Sequence, residues 1–106
     1  MHSDLDQTFS ALADATRRAI IARLSQGEAT LSEVADPFDM SLTAVSKHVR
    51  LLSDAGLVKV TKRGRTRYCQ LEAAAMRDAV DWLNTYRQFW DDQFAALTQF
   101  IEEEDK

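Results

Sequence analysis

Apolar residues recur with helical spacing through the first half of the chain. Leu5, Phe9 and Leu12 stand at i, i+4 and i+7, which predicts an amphipathic first helix starting near Ser3, with Asp4 and Asp6 at its positive end. Asp14 can cap a second helix in which Ile20, Ile21 and Leu24 face inward while Arg17, Arg18 and Arg23 stay in solvent, and Gln26-Gly27 ends it. Thr30-Leu-Ser-Glu33 has the form of a capping box, so a short third helix starts there, and Pro37 limits its length. Ser41 then opens a fourth helix, 41–55, closed by Gly56. Val45, Val49 and Leu52 form its apolar stripe, flanked by Ala44 and Leu51, and Thr43, Ser46, Lys47 and Arg50 occupy the rest of its surface. A helix, a tight turn and a basic helix in this order predict a helix-turn-helix, whose second helix can enter a major groove with its N-terminal polar residues leading.

Past Gly56 the period falls from about 3.6 to about 2. Leu57 to Lys62 and Thr66 to Leu71 alternate on either side of Arg63-Gly64-Arg65, predicting a β-hairpin over 57–71 with a basic, flexible tip. Such a wing suits a phosphate backbone or a minor groove. From Glu72 to Glu103 neither Gly nor Pro intervenes, which predicts one long helix, 73–103, about 46 Å in length. A compact domain of this size has a radius of gyration of about 13 Å, so one protomer cannot cover such a rod. Met76, Val80, Leu83, Trp90, Phe94, Leu97 and Ile101 follow a 4-3 repeat broken at Arg87, and Trp82, Tyr86, Phe89, Ala96 and Phe100 widen the face. The expectation is a homodimer built on this helix with help from the first, through Leu5, Phe9, Leu83, Tyr86, Trp90, Phe94, Leu97 and Ile101. The fold class is mainly α with a small β-hairpin, α-α-α-α-β-β-α, as a single domain over 1–106.

Charge sharpens this reading. The 106 residues carry a net charge of −4, which argues against nucleic acid until the charges are placed. Residues 1–42 hold three basic side chains against seven acidic, and residues 68–106 three against nine. Residues 43–67 hold seven basic side chains (Lys47, Arg50, Lys59, Lys62, Arg63, Arg65, Arg67) against Asp54 alone. Screening acts over about 8 Å at physiological salt, so distant acids do not cancel a local basic face. No run approaches the length of a membrane span, and the acidic start has no leader pattern. A single cysteine, Cys69, allows no intrachain disulfide and fits a reducing cytoplasm. No nucleophile–base set, phosphate loop or metal-ligand cluster stands in the chain, so neither catalysis, a cofactor nor a metal is expected.

Phe9-Ser-Ala-Leu-Ala-Asp-Ala-Thr-Arg-Arg-Ala-Ile-Ile, Ala44-Val-Ser-Lys-His-Val-Arg-Leu-Leu-Ser-Asp-Ala-Gly-Leu-Val and Lys62-Arg-Gly-Arg-Thr-Arg-Tyr together resemble the ArsR family of bacterial winged-helix repressors, and more closely its metal-free, SdpR-like branch. The resemblance covers about residues 5 to 100 and implies a dimeric winged helix that represses an operon, often its own, until an effector releases it. It carries DNA contact onto Leu42, Thr43, Ser46 and Lys47 of the recognition helix and onto Lys62, Arg63, Arg65 and Arg67 of the wing; Arg50 and His48 lie within reach of phosphate. Three positions depart from the family pattern. Ala15 stands where Pro is common, Asp39 where a turn Gly is common, and Leu42-Thr43 where many members have Gln-Pro. The last change removes a side chain able to bond adenine bidentately, so a different operator is expected, with an apolar contact to a thymine methyl. Metal-sensing relatives place Cys on the third helix or Asp/His sets on the last; here the third helix has no Cys or His and the last has no His. The sequence thus predicts a homodimeric, sequence-specific repressor of double-stranded DNA, cytoplasmic at the nucleoid. The alternative is a winged-helix module that binds protein and not DNA.

Overall fold

The computed structural model describes residues 2–104, with side chains from Leu5 onward. Its elements are α1 (His2–Leu12), α2 (Ala15–Leu24), β1 (Ala29–Thr30), α3 (Leu31–Ala35), α4 (Leu42–Asp54), β2 (Val58–Arg63), β3 (Thr66–Leu71), α5 (Ala73–Asn84) and α6 (Arg87–Glu104). The winged helix-turn-helix expected from the sequence is the fold observed. α1 already includes Ser3, so the helix begins before the expected start, and the Ser3 side chain lies outside the described residues.

Three helix starts form as their residues dictate. The Asp14 carboxylate accepts from the Arg17 N–H at 3.0 Å, and the Ser41 hydroxyl accepts from the Ala44 N–H at 3.1 Å. Thr30 and Glu33 close the reciprocal box, with Glu33 accepting from the Thr30 N–H at 2.9 Å and Thr30 from the Glu33 N–H at 3.1 Å. Gly56, at φ 78°, supplies the left-handed residue that turns the chain from α4 into β2. The core gathers Ile20 and Leu24 of α2, Val34 of α3, Val45, Val49 and Leu52 of α4, and Leu57, Val58 and Cys69 of the sheet.

The expected hairpin forms, and it does not stand alone. The hairpin is part of a three-stranded sheet of order β1-β3-β2, because Ala29 and Thr30 pair with Cys69 and Tyr68. Two residues are too few to carry an alternation, so β1 had no signature in the sequence. At the wing tip Arg63 faces Thr66, and Gly64-Arg65 alone connects the strands. Positive φ at Gly64 (63°), and at no non-glycine residue among those described, matches a tight type II′ turn.

The last helix is two helices. At the break the Thr85 hydroxyl donates back to the Asp81 carbonyl at 3.2 Å, and the Tyr86 N–H tightens onto Leu83 at 3.1 Å. Asn84 and Thr85 are weak helix formers whose side chains compete for backbone groups, which suffices to break the run without Gly or Pro. α5 packs on α1, where Phe9 meets the Trp82 ring edge-on at 5.6 Å and Trp82 meets Tyr86 at 5.1 Å. The eighteen residues of α6 have none buried, and Phe94 and Phe100 are 63% and 60% exposed. This arm raises the radius of gyration to 18.3 Å and the longest dimension to 65 Å.

The caps make stability depend on acid. Hydrogen bonds from the Arg17 and Thr30 amides hold the Asp14 and Glu33 carboxyls below their ordinary range. Folded values below the unfolded ones mean a contribution that is complete above the unfolded carboxylate range and is lost as pH falls through the lowered values. The urea midpoint should therefore stay level from neutrality down to about pH 5 and then decline. Asp14→Asn, which keeps a capping side chain without the titration, should make that decline shallower; an unchanged acid limb would remove Asp14 from the account.

Candidate nucleic-acid interface

α4 presents its apolar stripe to the core, with Val45 and Leu52 fully buried, and leaves its N-terminal half outward. Leu42 and Thr43 are exposed on the first turn, Lys47 and Arg50 are exposed further along, and Ser46 is half-buried. The strand register decides which wing cations join them. Side chains alternate across a strand, and directly opposed residues share a face. Val58, Val60 and Lys62 of β2 therefore share a face with Leu71, Cys69 and Arg67 of β3, and the buried Val58 and Cys69 make it the α4 side. Arg67 lines a cleft with Ser46 and Arg50, and a second cleft with Leu42 and Arg65. The helix start and the wing base thus form one continuous surface.

Arg63 lies on the opposite face. Its guanidinium bonds the Glu28 carboxylate at 2.7 Å and sits 4.4 Å from the centre of the Tyr68 ring. The sequence places Arg63 among the phosphate contacts; in the structure its guanidinium is paired with the loop before β1. His48 is also turned away from the polar face. Its Nδ1 lies 3.2 Å from Arg17 Nη1 and 3.8 Å from the Asp14 carboxylate, in the elbow between α1 and α2.

Arg17 itself is not a solvent residue, as its place in the helical pattern suggested. Its Nε donates to the Ala11 carbonyl at 2.6 Å and its Nη2 to Ser10 at 3.3 Å, while Arg18 donates to Leu12 at 2.7 Å. The carbonyls that end α1 have no partner within that helix; Arg17 and Arg18 of α2 supply donors, joined by the Ala13 N–H on Ser10. Arg17 touches α4 at His48 without belonging to the exposed face. The three-residue step from Asp14 to Arg17 was visible in the sequence, but nothing there showed the side chain folding back.

A pattern emerges among the arginines. Arg17, Arg18, Arg23, Arg63 and Arg87 are each bonded within the chain. Among the described residues Arg50, Arg65, Arg67 and Arg77 have no such partner, and the first three lie on the α4–wing face. Exposed Lys47 and Lys62 extend the same unneutralised patch. Cations left without internal partners on one surface are placed for anions supplied from outside. Among the described residues no group of His, Cys, Asp and Glu could hold a metal ion, and no helix is long and apolar enough to cross a membrane.

Comparison with known proteins agrees with this geometry. A family model described as a helix-turn-helix domain matches residues 12–61. The chain is 36% identical over 102 residues to the HTH-type transcriptional regulator Rv2034 of Mycobacterium tuberculosis, spanning 93% of this chain and 90% of that one. It is 28% identical to the transcriptional repressor SdpR of Bacillus subtilis, across 74% of this chain and 88% of the relative. A solved structure of an ArsR family transcriptional regulator superposes with a TM-score of 0.79 at 42% identity, covering 86% of this chain and 94% of its own. A homodimeric winged helix-turn-helix DNA-binding domain from Mycobacterium bovis gives 0.63 at 25% identity, covering 87% and 82%.

The register separates two arginines that look alike in sequence. Arg67→Ala is expected to weaken binding to duplex DNA about tenfold, the scale of one charge-assisted contact. Arg63→Ala should change DNA affinity less than about twofold and lower stability by under about 1 kcal/mol, as for an exposed ion pair. Fluorescence anisotropy on a labelled duplex measures the first and urea denaturation the second. Equal losses of DNA affinity from both substitutions would refute the assignment by face.

Proposed function

The chain belongs to the ArsR family of winged-helix transcriptional regulators, and from that premise we propose that it works as a homodimeric repressor of a palindromic operator, including that of its own operon. The observation that carries this reading is the set of unpartnered cations gathered around the outward half of α4. In this reading Thr43, Ser46 and Lys47 meet base edges in the major groove, and Leu42 meets a thymine methyl. Arg50, Lys62, Arg65 and Arg67 hold phosphates.

The exposed face of α6 supports a second copy. Phe89, Trp90, Phe94, Leu97, Phe100 and Ile101 are all more than half exposed, an apolar face that water disfavours and that α5 and α1 do not cover. The homodimeric relative from M. bovis supports pairing of protomers. We place Leu83, Tyr86, Trp90, Phe94, Leu97 and Ile101 in that interface, with Leu5 and Phe9 of α1 beside them; Phe9 also packs on Trp82 of its own chain. A two-fold axis between the α6 helices would set the two copies of α4 about 34 Å apart, one turn of B-form DNA. The protein would act in the cytoplasm, at the nucleoid, and leave its operator when an effector binds.

With about four phosphates neutralised per protomer, log K plotted against log salt should fall with a slope near −7. A slope shallower than about −3 would contradict the contact set. Lys47→Ala should cost about tenfold on the operator and much less on random duplex, because a base contact discriminates and a phosphate contact does not. Equal losses on both sequences would remove Lys47 from base reading.

A further inference from the structure

Between the C-terminal half of α4 and the wing lies a cleft of about 370 Å³. Its polar lining is Ser46, Arg50, Ser53 and Arg67; its apolar lining is Leu31, Val49, Val60 and Cys69. Val49 and Cys69 are buried, whereas Val60, Arg50 and Arg67 are exposed. Neither guanidinium has an internal partner among the described residues, and no carboxylate lines the cleft. Burial raises the Cys69 thiol above its ordinary value, so it is an uncharged, weakly polar part of the wall. The volume falls within the range of small-ligand sites, which combine an apolar body with a few convergent polar groups.

We propose that this cleft is a binding site for a small organic anion, a carboxylate on a short apolar or aromatic body, and that its occupant competes with DNA. The two arginines and two serine hydroxyls would take the carboxylate, and Val49, Val60 and Cys69 its apolar part. A phosphate diester of the backbone uses only the outer, charged half of the site; a carboxylate with an apolar body uses both halves. The same Arg50 and Arg67 cannot serve DNA and this ligand together, so occupation lowers DNA affinity directly, without a conformational change. The competition rests on the assignment of Arg50 and Arg67 to phosphates; the site itself does not.

The test uses benzoate as the probe on the full chain, free of DNA, followed by the methyl resonances of Val49 and Val60. Benzoate should shift both in a saturable way at millimolar concentration. Inorganic phosphate should not, having no apolar body, and neither should benzyl alcohol, having no charge. Arg67→Gln should weaken benzoate about tenfold. Val60→Phe, which fills the apolar wall and keeps every cation, should abolish the shift of Val49 while leaving affinity for duplex DNA within about twofold. In anisotropy titrations benzoate should displace duplex from the wild type and not from Val60→Phe. Absence of a saturable shift at Val49 and Val60, or equal shifts with phosphate, would overturn the site. Saturable benzoate binding in a chain that binds no DNA would uphold the site and overturn the competition. DNA binding without any benzoate shift would overturn this proposal and leave the repressor reading standing.

Discussion

The burial of Val45, Val49 and Leu52 fixes how α4 is rotated, and most of what the molecule presents to its surroundings follows from that rotation. Each such side chain removed from water contributes about 1.5–3 kcal/mol. Turning the helix by one residue would bring Ser46 and Arg50 toward the core, where an unpaired charge costs several kcal/mol. Leu57, fully buried, donates its N–H to the Leu52 carbonyl at 2.9 Å and accepts from the Glu72 N–H at 2.9 Å. The end of α4, the start of the wing and the start of α5 are therefore tied at one point. Helix and wing keep a common orientation because they share this anchor.

Around that anchor the chain separates its arginines by task. Arg17 and Arg18 complete the end of α1, and Arg63 ties the wing to Glu28. Arg50, Arg65 and Arg67 are left to the outside. Composition cannot make this division, and a net charge of −4 conceals it. A two-residue β-turn enforces it on the wing, since the register it sets sends Arg67 toward α4 and Arg63 away.

Local chemistry made much of this legible in the sequence. The Asp14, Thr30–Glu33 and Ser41 caps, the apolar stripe of α4 and the change to alternation after Gly56 each depend on residues a few positions apart. What escaped depends on distant partners. β1 exists only because β3 lies beside it, and Arg17 and His48 meet across 31 positions. Arg63 stands beside Lys62 in the basic run, but its ion-pair partner, Glu28, lies 35 positions away. The break at Thr85 is the exception, since Asn84 and Thr85 are local to it and are weak helix formers. With the break in place α6 still exposes its apolar surface, so one continuous rod is not needed for a second copy to cover it.

The central claim is that two outward-facing copies of α4 read DNA in concert, and hydroxyl-radical footprinting of the full chain on its own upstream region tests it most directly. The account predicts two protected patches on one face of the duplex, centred about 10 base pairs apart and related by an approximate palindrome. A single isolated patch, or no protection at low salt, would contradict it.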